Sequence, residues 1–163
     1  MKLPLLLSTF ALICISGCAL FGSGEVSLKR AEDYRIVAPK GWRKIQKKES
    51  DSAFKLSSGS IATVTSSCKT STEADLPILT RQLLIGTRNI KFESQKKVAV
   101  GNSEGLHSKV DATIGKAPFQ LEVFVIRKKG CVFDFSLINP KKLSDSDRKE
   151  FQLFYSSLRY GES

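Results

Sequence analysis

The apolar positions of the chain divide it into three kinds of stretch. Leu3 to Ile15 is an almost unbroken apolar run behind Met1-Lys2. Between Tyr34 and Leu137, short runs alternate apolar with polar residues and are punctuated by Gly, Pro and Ser, the pattern of strands and turns. Two stretches carry helical spacing instead. In the first, Leu76, Leu79 and Leu83 recur with Ile78 and Leu84 alongside; in the second, Phe151, Phe154, Tyr155 and Leu158 follow i, i+3, i+4, i+7.

Taken in order, Tyr34–Pro39 reads as a first strand with Tyr34 and Ile36 on one face, ended by Pro39-Lys40-Gly41. Trp42, the sole tryptophan, is expected over the edge of the core, and residues 44–52 as a charged loop. Ala53–Leu56 and Ile61–Cys68 predict a hairpin around Ser57-Ser58-Gly59-Ser60. The first helix opens at Thr72 or Asp75, tolerates Pro77 in its first turn and stops before Gly86. Ile90–Val100 and Leu106–Ile114 are strands flanking a turn at Gly101–Gly105. Phe119, Leu121, Val123 and Val125 share a face of the strongest strand; Cys131, Phe133, Phe135 and Leu137 share a face of the next. Joining those faces predicts that Arg127 pairs with Cys131 across the loop Lys128-Lys129-Gly130, which sets Glu122 and Asp134 diagonally on one common face. Pro140 precedes the last helix, Ser144 with Asp147 resembles a capping box, and Gly161 lies past its end.

This order of elements resembles a known superfamily. The residues that carry the resemblance are Tyr34, Pro39, Gly41, Trp42 and the run Gly130-Cys131-Val132-Phe133-Asp134-Phe135. They are similar to the α/β/α sandwich shared by PsbP-like proteins, a yeast Ran-binding protein and many small bacterial lipoproteins. Over residues 34–160 the resemblance implies an α+β fold, an α/β/α sandwich with a mainly antiparallel sheet. It implies binding or assembly roles rather than a shared reaction, and no metal or partner site carries over.

The apolar start has an address. A basic n-region, an apolar stretch and small residues describe a secretory signal. Ile15-Ser16-Gly17-Cys18 resembles the lipobox of bacterial lipoproteins, whose cysteine receives a diacylglyceryl group before cleavage. Residues 1–17 are then the signal peptide, 18–31 a lipidated tether and 32–163 one α+β domain, with Cys18 as the lipid attachment site. The competing reading is an uncleaved membrane span from Leu3 to Phe21, against which stand Pro4 and the Ser16-Gly17-Cys18 break. More than one acyl chain gives stable anchoring. Ala19 after the cysteine, rather than Asp, resembles outer-membrane sorting, so the expected location is the bacterial envelope, facing the periplasm.

Charge and chemistry narrow the function further. The net charge is +10, which suits anionic lipid, another envelope protein or a merely solvated surface, while secretion argues against nucleic acid. Cys68 and Cys131 remain as an even pair in an oxidising compartment, which predicts a disulfide; two free thiols, or zinc held with the only histidine, His107, are the alternatives. That spacing matches no familiar zinc site, and no cofactor or metal is expected. Gly101-Asn102-Ser103-Glu104-Gly105 fits G-x-S-x-G, but a strand follows where a hydrolase needs a helix. The alternative function is an enzyme acting on a cell-envelope polymer through Asp134, Glu122 or His107. Without a nucleophile–base pair, the favoured reading is a non-enzymatic, membrane-tethered binding or assembly module, with no catalytic residues.

Overall fold

The computed structural model describes residues 29–68 and 74–161; the expected signal segment, Cys18 and the candidate cap Thr72 lie outside them. The alternating stretches become strands β1 (Arg43–Ile45), β2 (Ser52–Lys55), β3 (Ile61–Cys68), β4 (Arg88–Val100), β5 (Ser103–Ile114), β6 (Ala117–Lys128) and β7 (Cys131–Asn139). They form one antiparallel sheet in the order β1-β2-β3-β7-β6-β5-β4. Helix α1 (Leu76–Gln82) packs on one face and α2 (Asp145–Ser156) on the other, so the chain is an α+β protein with an α/β/α sandwich. The residues of β6 show why two layers are needed. Val123 and Val125 join Leu79 and Leu84 under α1, while Phe124 and Ile126 join Phe151 and Phe154 under α2. A strand buried on both faces reads as a continuous apolar run.

That double burial corrects the expected register. Lys128, not Arg127, pairs with Cys131, and the loop is the two-residue Lys129-Gly130 with φ of 48° and 76°. Positive φ at both positions is the primed turn that matches strand twist. The shift by one moves Phe119, Leu121, Val123 and Val125 away from Phe133 and Phe135: Phe124 now opposes Phe135, and Ile126 opposes Phe133. Glu122 opposes Leu137 on the α2 face and Asp134 opposes Val125 on the α1 face. The two carboxylates are therefore on opposite sides of the sheet, not diagonal neighbours.

The opening strand is also corrected. Residues 34–39 form no part of the sheet; Arg35 exchanges backbone hydrogen bonds of 2.8 and 2.9 Å with Arg159 beyond α2. The sheet begins instead at β1, which overlaps the start of the expected loop, after Gly41 turns the chain with φ of 90°. Trp42 packs on Phe54 and Phe154 and donates from Nε1 to Glu150 at 2.6 Å, which clamps the arm to α2. Lys29, Arg30 and Ala31, read from sequence as tether, are engaged: the Lys29 carbonyl accepts from Cys68 N–H, Ala31 N–H donates to Ser66 Oγ, and Arg30 pairs with Asp51 at 2.7 Å.

In α2, Ser144 Oγ accepts from Asp147 N–H as a cap should. The reciprocal half of the expected box is missing. The Asp147 carboxylate turns inward and accepts from the buried Ser60 Oγ at 2.8 Å, which in turn accepts from Asn139 Nδ2. Gly161 does not close the helix, which ends at Ser156 with Ser157 as its cap.

Cys68 and Cys131 stand directly opposite in the β3–β7 pairing, with Cα atoms 4.1 Å apart, and are joined by a disulfide. Cys131 is buried with Phe133 and Phe135 on the α2 face. The bond consumes both thiols, and His107 pairs with Glu122 instead, so the zinc arrangement does not form.

Candidate functional site

Two places hold polar groups that the fold could use. On the α2 face, β5 and β6 set Lys109 opposite Glu122 and His107 opposite Phe124. Glu122 is only 1% exposed, too buried to stay charged without partners. It has them. His107 Nε2–H donates to Oε2 at 2.8 Å, Arg148 of α2 donates from Nη1 to Oε1, and Lys109 Nζ lies 3.9 Å from Oε1. Burial pushes this carboxyl up, but the His107 hydrogen bond and the charges of His107, Arg148 and Lys109 outweigh it, and the net shift is downward. A carboxylate held this way is a structural anion. Tyr155 stacks on Phe124 nearby; burial, with the Glu122 charge adding, pushes its phenol up to about 12, so it is no nucleophile near neutral pH.

The second place is on the α1 face. Helix α1 has seven residues, which at 1.5 Å each spans about 10 Å. Among the described residues it packs over β5 and β6, with Val132 of β7 in the same cluster, and leaves part of the same face of β3 and β7 open. The result is a cleft of about 450 Å³, within the range of small-ligand sites. One wall is Leu83 and Ile85 from the turn after α1; Leu121 and Val123 are the floor, and Lys47 and Glu49 stand on the far rim. Ile85 is 82% exposed and Ile114, at the cleft's end, 57%.

Its lining also carries polar groups, with the hydroxyls of Thr63, Thr65, Thr87 and Ser136 and the charges of Lys47, Glu49 and Asp134. The Thr63 and Ser136 hydroxyls bond to each other at 2.7 Å. Asp134, paired in register with Thr65 on β3, also lines the cleft. Its Oδ1 is buried with no hydrogen-bond partner among the described residues. Burial pushes this carboxyl up from the usual 3.8 to about 7.

The residues singled out from sequence thus separate. Glu122 and His107 meet each other, while Asp134 lies through the sheet from them. Ser103 opens β5 directly after a turn, and no helix follows it, so G-x-S-x-G here is a hairpin. Gly105 lies within β5, where any Cβ would collide with the Phe124 ring and approach the Val125 carbonyl at 2.9 Å. The cleft walls escaped sequence reasoning. Their one signal was the run Leu83-Leu84-Ile85, longer than a single helix face can bury.

No protein-family model and no curated protein matches the chain. Solved structures do match. Cyanobacterial PsbP (CyanoP) from Synechocystis superposes with a TM-score of 0.59 at 17% identity, over 89% of this chain and 98% of that one. A crystal structure from Bacteroides thetaiotaomicron superposes with a TM-score of 0.58 at 14% identity, over 79% of this chain; the matched region is 45% of that protein. At these identities the likeness concerns the fold, which is PsbP-like.

Proposed function

We propose that this protein is a lipid-anchored component of the bacterial cell envelope that binds a ligand without catalysing a reaction. The observation that carries the binding reading is the α1-face cleft, with its apolar walls, its exposed Ile85 and a single unsatisfied carboxyl oxygen. Asp134 lies through the sheet from Glu122 and His107, and the Glu122–His107 pair is tied up with Arg148 and Lys109 in one ion cluster, which counts against an enzyme. The anchor rests on Cys18 within Ile15-Ser16-Gly17-Cys18, and an oxidising compartment agrees with the Cys68–Cys131 disulfide. Among the described residues no helix is long and apolar enough to cross a membrane. Ala19 points to the outer membrane, facing the periplasm, and the +10 charge suits anionic headgroups or an acidic envelope protein as the neighbouring surface.

Two measurements test this. Cells fed a palmitate analogue should label the wild-type chain and not Cys18→Ala; an unlabelled wild type, mature at another residue, would remove the anchor. An alkyl diazirine, photolysed with the full chain in nanodiscs of zwitterionic lipid, should attach to peptides carrying Ile85 and Leu121. Attachment confined to other surfaces would remove the cleft.

A further inference from the structure

The cleft carries information about its ligand. Its floor is apolar on the β6 side, where Leu121 and Val123 stand, and carboxylic on the β7 side, where Asp134 stands. A buried polar atom without a partner costs about 1–3 kcal/mol, and native folds seldom leave one. The groups that face Asp134 do not relieve it. On β3 its neighbour is the neutral Thr65, and on β6 it is Val125. Arg127 comes two positions later on the same face of β6; its Nη2 donates to the Ala74 carbonyl, its Nε is likewise buried without a partner, and it makes no ion pair with Asp134 among the described residues. Lys47 and Glu49 on the rim are of opposite charge, and the segment after α1 adds Leu83, Ile85 and the neutral Thr87 to the wall.

Resting on the binding reading above, we propose that the cleft takes an amphiphilic organic cation: an apolar body against Leu83, Ile85, Leu121 and Val123, with a protonated amine against the Asp134 carboxylate. An amine supplies the missing donor and the opposite charge together. A hydroxyl supplies only the donor, and a carboxylate would face the Asp134 carboxyl with neither. The burial that holds the Asp134 carboxyl near 7 then makes cation binding pH-dependent. The site is competent when Asp134 is ionised and loses competence as pH falls through about 7, while the ligand amine stays protonated throughout.

The test is competition against the alkyl diazirine labelling of the cleft, using the full chain in nanodiscs. Hexylamine, hexanol and hexanoate share one apolar body and differ only in the head. Hexylamine should protect at a concentration at least tenfold below hexanol, and hexanoate should protect least. Below pH 7 the concentration of hexylamine needed should rise about tenfold per pH unit, since only ionised Asp134 binds it. Asp134→Asn should bring hexylamine level with hexanol and flatten the pH profile while labelling itself persists. Equal protection by all three heads in the wild type would overturn the cation and leave the cleft standing. Absence of labelling from the cleft would overturn both readings.

Discussion

Asp134→Asn is the substitution on which the geometry makes its most quantitative demand. A carboxyl raised from 3.8 to about 7 on folding binds its proton more tightly in the folded state than in the unfolded chain. The sign follows: the protonated form favours the fold, so wild-type stability rises as pH falls from about 7 towards 4 and is lowest above 7. At about 1.36 kcal/mol per pKa unit the full span is about 4 kcal/mol, an upper limit, because Oδ1 is buried while the residue as a whole is only partly so. Asparagine has the same shape and no titration. It leaves a buried amide to satisfy at a cost of about 1–3 kcal/mol, but that cost does not vary with pH. The informative quantity is therefore the stability gap between variant and wild type, followed from pH 8 to pH 5 by urea unfolding. It should move by about 2–3 kcal/mol against the variant as the wild type gains its proton. With a urea slope of about 2 kcal/mol/M, the relative midpoint moves by about 1 M or more. Parallel pH profiles would show that Asp134 is solvated in solution, and the argument from its burial would fall with them.

Three further substitutions probe other parts of the fold. Cys68→Ala should lower stability by about 4 kcal/mol, the chain-entropy value for a loop of 63 residues, and thiol titration of native wild type should find neither Cys68 nor Cys131 reactive; a reactive thiol there would refute the bond. Glu122→Gln strands Arg148 and His107 beside a neutral group and should cost about 3 kcal/mol at pH 7. Because the Glu122 carboxyl is held below its usual 4.5, wild type should lose this advantage as pH falls below that value, and acid unfolding in which the two proteins run parallel would contradict the ion cluster. Gly105→Ala forces a methyl against the Phe124 ring and should cost about 1–3 kcal/mol of overpacking, read as a lowered Tm; an unchanged Tm would show the β5–β6 contact to be looser than described.

Much of this molecule was legible from local patterns, for a physical reason in each case. The β2–β3 hairpin, the β5, β6 and β7 strands and the buried face of α2 each declare themselves through periodicity within one segment. The Ser144 cap and the Cys68–Cys131 pair need only residue type and spacing, or compartment. What failed depended on more than one segment at once. The β6–β7 register could not be read because β6 is apolar on both faces, so alternation no longer says which side meets Phe133; the turn at Lys129-Gly130 decided it. That single step carried Glu122 and Asp134 to opposite faces and dissolved the acid–base pair that sequence allowed. The arm at 34–39 has strand composition, but its partner turned out to be Arg159, at the far end of the chain. Asp147 looked like a capping residue until the β2–β3 turn brought Ser60 beneath it. The cleft belongs to this second class entirely. Among the described residues, it exists because a seven-residue helix covers only part of a sheet face, and the extent of that cover is set by tertiary packing rather than by any pattern along the chain.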